Sequence, residues 1–322
     1  MEPNASNPDY KDRTRVVAVI GVVLLLIGIA VGFLGPLEMY CFYLFSEGGR
    51  FQYEGFGFGS FMFGNITSQI VGYYLIAAVF IPLGYGHLQV RRWARTLSLT
   101  LLWFWLVVGA PLIVIAFFIL AASKELSLPA ALIALVLLAP SYLVFPALLI
   151  RFYRGRNVKR TFESKDVKSN WLEVLPMPVL VLCAVYGFYI VVLHILILFN
   201  GMFPVFGVFA FGMQGILLLD ISIACLVCLI WGTVRQRIWA WWGAVISLGL
   251  FTFSTLLTFF NSSYSTLLYS LRFPPREIEF LEGLPVQGYH FAVLAGIPLL
   301  ITWCLAILSR RHFRTGDRVL NR

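Results

Sequence analysis

VVAVIGVVLLLIGIAVGFL, residues 16–34, contains no charged residue and follows directly on Lys11, Arg13 and Arg15. A helix needs about 20 mostly apolar residues to cross the hydrocarbon core of a bilayer, and this run supplies them. It is too long for a signal-peptide core and no small-residue cleavage site follows it, so it reads as an anchor that stays in the membrane. Similar runs recur with centres near residues 76, 110, 140, 188, 221, 250 and 300. Backbone polar groups in lipid must be satisfied within the segment, so these runs are expected to be helices. A transmembrane barrel would show alternating segments of about ten residues; the runs here are longer and evenly apolar.

Composition agrees. Of 322 residues, 60% are hydrophobic and 12% charged, whereas soluble domains are about half apolar and a quarter charged. Eight helices of about 20 residues would occupy about half the chain, leaving short loops and no sizeable extramembrane domain. The expected fold is an all-α polytopic membrane protein with eight transmembrane helices forming one integral membrane domain.

The charges set an orientation. Lys11, Arg13 and Arg15 precede the first run, and Arg91, Arg92 and Arg95 follow the second. Arg151, Arg154, Arg156, Lys159, Arg160, Lys165 and Lys168 follow the fourth. Arg235 and Arg237 follow the sixth, and Arg310, Arg311, Arg314, Arg318 and Arg322 follow the last. Together these are 20 of the 24 lysines and arginines; the remaining gaps hold Arg50, Lys124, Arg272 and Arg276. Positive charge is retained on the cytoplasmic side, so both termini are expected inside, in a plasma membrane. The net charge of +9 is then a topology signature, with anionic lipid headgroups as its partner and no role for nucleic acid. Glu38, Glu47, Glu54, Glu125, Glu277, Glu279 and Glu282 fall on the outer side.

Two cytoplasmic turns share a pattern. Gly86-His87-Leu88-Gln89-Val90-Arg91-Arg92-Trp93-Ala94 and Gly232-Thr233-Val234-Arg235-Gln236-Arg237-Ile238-Trp239-Ala240 both read G-x4-R-x-W-A. Arg151-Phe152-Tyr153-Arg154 and Arg311-His312-Phe313-Arg314 form a second match. These suggest two four-helix halves, 1–165 and 166–322, in the same orientation, a parallel repeat of a kind that transporters use. The plainer reading is that cytoplasmic helix ends resemble one another.

Few residues could carry chemistry. Asp220 is the one acidic residue deep in a span, where placing it costs about 2.5–3.5 kcal/mol, so it is expected to face the bundle interior. His194, in the preceding helix, lies nearer the outer end. The segment Asn200-Gly201-Met202-Phe203-Pro204 reads as a tight turn, which makes the two helices antiparallel neighbours and a direct or water-bridged contact feasible. Such a pair would relay a proton or bind a cation; the plain reading is a structural hydrogen bond. Ser247, Ser254, Thr258 and Asn261 lie on one face of the next helix and read as packing or as a cavity lining. Gly21, Gly28, Gly32 and Gly35 argue for close contact of the first helix. Pro82, Pro111, Pro140, Pro146 and Pro298 should kink their spans.

Cys225 and Cys228 form a C-x-x-C with no His or carboxylate nearby to make it a metal site, and read as small buried residues. No metalloprotease, P-loop or paired-aspartate motif is present. No catalytic, cofactor-binding or metal-binding residue is assigned. An outer-face site built from Glu277, Glu279, Glu282 and His290 is the one enzymatic arrangement on offer. The leading reading is a small permease for an ion or small molecule. The alternatives are a non-catalytic membrane subunit or scaffold, and a lipid-acting membrane enzyme.

Overall fold

The computed structural model describes residues 10–53, 57, 59–122, 128–283 and 286–313. Glu54, Lys124, Glu125, Arg314, Arg318 and Arg322 lie outside the described residues. The described residues are mostly helical: α1 (Thr14–Phe45), α2 (Phe61–Leu88), α3 (Arg92–Ala122), α4 (Leu128–Ala139), a π-helical turn (Pro140–Val144), α5 (Phe145–Arg154), α6 (Arg156–Lys165), α7 (Trp171–Val174) and α8 (Met177–Leu198). A two-stranded hairpin, β1 (Phe203–Val205) and β2 (Val208–Ala210), leads into α9 (Gly212–Val234), α10 (Ile238–Asn261), α11 (Tyr264–Leu271), α12 (Pro275–Glu282) and α13 (Gly288–Leu308), which ends in a 3-10 turn (Ser309–His312).

Among the described residues, seven helical stretches are long and apolar enough to cross a membrane. They are Thr14–Phe45, Phe61–Leu88, Val136–Arg154, Met177–Leu198, Gly212–Val234, Ile238–Asn261 and Gly288–His312. The fold is therefore all-α and polytopic, as composition required. The run expected near residue 110 is occupied by α3, whose 31 residues would extend roughly 46 Å at the α-helical rise. The run near residue 140 is not one regular helix. Pro140 lacks an N–H and opens the π turn between α4 and α5.

Helix pairing follows residue size. The buried face of α1 is Val17, Gly21, Gly28 and Gly35, and α2 lies against it. A Cβ at Gly28 would lie 2.8 Å from Ile81 Cγ1 and 3.0 Å from the Ile81 amide nitrogen. The glycines thus let the two backbones approach as close-packed membrane helices do. Central in the bundle, α8 touches α9, α3 and α13. Its Leu182, Tyr186 and Leu193 form the largest buried cluster with Leu219, Leu226 and Leu229 of α9 and Ala240, Trp241 and Ala244 of α10.

The two G-x4-R-x-W-A turns have the same geometry. The Arg91 amide donates to the Gly86 carbonyl at 2.8 Å, and the Arg237 amide to the Gly232 carbonyl at 3.0 Å. Val90 and Gln236, at matching positions, take positive φ of 49° and 54°. A Cβ at Gly86 would lie 2.7 Å from Trp93 and 2.8 Å from Ala94, and one at Gly232 would lie 2.6 Å from Trp239 and from Ala240. Each glycine is the seat for the tryptophan and alanine that open the next helix.

The basic gaps gather at one end of the bundle. There the Tyr10 hydroxyl donates to Ser164, and the Lys11 and Arg13 amides to Asn157 and Thr161, which lays the N-terminal segment along α6. Arg92 holds Glu173 through Nε at 3.1 Å and Nη2 at 2.9 Å, and its amide donates to Asp166. With Asp166 and Glu173 turned inward, Arg151, Arg154, Lys159, Arg160, Lys165 and Lys168 remain exposed.

Candidate functional site

Asp220 and His194 share one face of the α8–α9 hairpin, and it is an exposed face. Gly215 of α9 packs on Gly201 just past α8, and Leu219, one turn further on that face, is buried in the common core, while Leu229 abuts Gly243 of α10. Successive residues of a helix turn by about 100°, which carries Asp220 away from Leu219 on the side opposite α10. On α8, Leu193 is buried in the same cluster as Leu219, and the Tyr189 hydroxyl meets Thr302 of α13 at 2.8 Å. The same step carries His194 away from α13. Because the helices are antiparallel, both turns end on the face opposite α10 and α13. Both residues are exposed there.

This corrects the expectation that Asp220 faces the bundle interior. The physical reason lies in its neighbours: the residues that fit between α8, α9 and α10 are Leu219, Leu226 and Leu229, and Asp220 is out of phase with all three. The tight turn is present at Asn200 and Gly201, both with positive φ, 55° and 61°, but it does not lead straight into α9. A β-hairpin follows it, in which Phe206 and Gly207 both take positive φ, 40° and 106°, between Val205 and its partner Val208.

The two groups lie at nearly the same depth. The Gly212 amide that opens α9 donates to the Asn200 carbonyl just past α8, and counted from that shared level at about 1.5 Å per residue, Asp220 is roughly 12 Å deep and His194 roughly 9 Å. Side chains lean toward the N-terminus of their own helix, so Asp220 leans outward and His194 leans deeper, which narrows the gap. His194 Nδ1 lies 2.7 Å from the Ile190 carbonyl. A carbonyl only accepts, so Nδ1 carries the proton and Nε2 of the neutral ring is an acceptor. Among the described residues, neither Nε2 nor the Asp220 carboxylate has a hydrogen-bond or ion-pair partner.

The hydroxyl stripe on α10 is partly explained. Ser254 accepts from the Phe206 amide and donates to the Pro204 carbonyl, both at 2.9 Å, and Thr258 accepts from the Gly207 amide at 3.0 Å. These two residues hold the β-hairpin turn against α10. Asn261 sits beside Gly207, and Ser247, two turns deeper, is half-buried. An open groove of about 450 Å³ lies under the hairpin, lined by Val205, Val208, Phe209, Ala210, Gln214, Leu217 and Leu218. Its lining is apolar apart from Gln214, and Leu217 lies one turn above Asp220.

Of the outer-loop acids, Glu277 is turned to the start of α2. Glu277 accepts from the amides of Phe61 and Met62 at 2.7 and 3.1 Å, satisfying donors that open α2. His290 is buried at the start of α13, where its Nδ1 accepts from the Gln287 amide. Cys225 and Cys228 are exposed on α9, which corrects their reading as buried. Among the described residues, no three His, Cys, Asp or Glu side chains gather where they could hold a metal ion.

Sequence reasoning passed over one buried cluster, at the basic end. His87 is fully buried, with Nδ1 2.7 Å from the Leu83 carbonyl and Nε2 2.7 Å from the Tyr153 hydroxyl; Ser98 lies 3.3 Å from Nε2. Arg95 Nε donates to the Tyr153 carbonyl at 2.9 Å. The signal was the pairing of His87, just after the motif glycine, with the Arg-Phe-Tyr-Arg end of α5. No family model, no curated protein and no solved structure matches the chain.

Proposed function

We propose that this protein is a membrane subunit that docks laterally against protein through the outer face of its α8–α9 hairpin, as a non-catalytic part of a larger assembly. The observation that carries this is Asp220, a carboxyl group exposed well inside a span. Left against lipid it costs about 2.5–3.5 kcal/mol on insertion scales, and a polar protein partner removes most of that cost. In this reading α3 is the eighth span, both termini are cytoplasmic, and the exposed basic residues of α5 and α6 rest on anionic headgroups of the plasma membrane, each contributing about 1 kcal/mol. The gathering of the basic gaps at one end of the bundle supports that orientation. The matched turns at Gly86 and Gly232 support an origin of residues 1–165 and 166–322 by tandem duplication.

The test is the size of the particle extracted from native membranes in mild detergent. The wild-type chain is expected in a complex well above its own 36.4 kDa, and Asp220→Leu in particles of a single chain. A wild-type chain that runs alone under the same conditions contradicts the proposal.

A second reading, a small permease, is favoured by the acid and base sharing one face at one depth, an arrangement able to pass a proton or hold a cation. Proton-coupled flux in proteoliposomes should then fall at least about tenfold in Asp220→Asn, as expected when an essential intramembrane carboxyl is removed. Flux equal to wild type removes this reading.

A further inference from the structure

The exposed face of the α8–α9 hairpin is self-complementary. It carries an acid on one helix and a base on its antiparallel neighbour, about one interhelical spacing of 8–10 Å apart and at nearly equal depth. A two-fold rotation about an axis along the membrane normal keeps every depth and exchanges left for right. The acid of one copy is thereby set opposite the base of the other, twice over, as isologous contacts require. We infer that the occupant of this face is a second copy of the chain, with His194 of each copy meeting Asp220 of the other.

This rests on the assembly reading and names its partner. Three further features fit a helical partner of the same kind. Met213, Leu217, Asp220, Ala224, Val227 and Trp231 are all exposed along α9, and their spacing alternates between four and three. That is the seam of a left-handed helix pair, in which a single polar residue fixes register. Ala224, one turn below Asp220, is small enough to let a neighbouring backbone approach. Gly187, two turns below His194 on the same side of α8, has open space where a Cβ would stand, a notch for a side chain from the facing helix.

The proton count is consistent with the site. The Ile190 carbonyl holds the Nδ1 proton, so Nε2 faces outward as an acceptor. A protonated Asp220 donates to it, or the proton resides on the ring and the carboxylate accepts. Either state is neutral overall, so no net charge is buried in lipid.

Chains carrying one fluorophore each, diluted into phosphatidylcholine–phosphatidylglycerol vesicles, test this by counting bleaching steps per particle. Wild type is expected to show two steps. Asp220→Leu alone and His194→Leu alone lack both reciprocal pairs and should each show mostly one, with pairing weakened about tenfold or more. Mixing the two variants restores one His194–Asp220 pair and should recover two-step particles containing one chain of each kind. Helical content by circular dichroism separates misfolding from dissociation. Wild-type particles with one step, single variants that remain paired, or a mixture that does not recover would each overturn the inference. A wild-type chain that is single in vesicles but complexed in native membranes, in an Asp220-dependent way, overturns self-pairing and leaves the assembly reading standing. One that is single in both contradicts both.

Discussion

His87 and Asp220 are both polar groups within spans, and the chain treats them in opposite ways. His87 is enclosed, with both ring nitrogens engaged by Leu83 and Tyr153. Tyr153→Phe removes the hydroxyl facing Nε2 and is expected to destabilise the chain by about 1–2 kcal/mol, measured by unfolding in mixed micelles. Asp220→Leu is expected to cost the separated chain nothing under the same conditions, because no internal contact is lost; a clear loss would show an internal role. A smaller electrostatic effect lies at the N-terminus, where Asp12 accepts from the Thr14 hydroxyl and amide. Those hydrogen bonds hold its pKa below the usual 3.8. The tie to α1 is therefore complete above that value and is lost as pH falls through the lowered one. A titration followed at the Thr14 amide resonance should have its midpoint below 3.8; a midpoint at or above it contradicts the hydrogen bonds. Asp220 was legible as exceptional because insertion cost depends on residue type. Which way it points depends on helix phase against α8 and α10, which one helix alone does not reveal.

Among the elements, the α1–α2 pair and the two G-x4-R-x-W-A turns are the most constrained. Gly28→Leu would press on Ile81 and is expected to separate α1 from α2, at a cost of about 1–3 kcal/mol from overpacking, read as lowered thermal stability in detergent. If the turns are equivalent structures, Gly86→Val and Gly232→Val should each lower the melting temperature by a similar amount. One silent and one severe substitution would show that the shared pattern is a coincidence of helix ends. The glycine rows and the motif were visible in the sequence because close approach demands a residue without a side chain. The β-hairpin was not foreseen, since Phe203 to Phe211 is apolar without a break. The signal was Phe206-Gly207 flanked by Val205 and Val208, a two-residue loop between β-branched residues. Pro140 was foreseen as a kink, but whether a proline bends a helix or loosens it into a π turn is decided by its neighbours.

At the scale of the whole molecule, charge placement and chain packing agree. The N-terminal segment, the α2–α3 turn and the α5–α7 stretch are tied together by Arg92–Glu173 and by the Arg13–Thr161 and Lys11–Asn157 hydrogen bonds. The bundle's polytopic character was legible because a bilayer demands long apolar runs whatever the protein does. Function was not, because a docking face differs from a lipid-facing one by only a few residues. The most direct test of that face is a photo-crosslinking side chain placed at Leu217 or Ala224, flanking Asp220 on α9, and activated in native membranes. Protein adducts at both positions, lost when Asp220→Leu is added, are the predicted result. Adducts to lipid alone, the same with and without Asp220, would contradict the account.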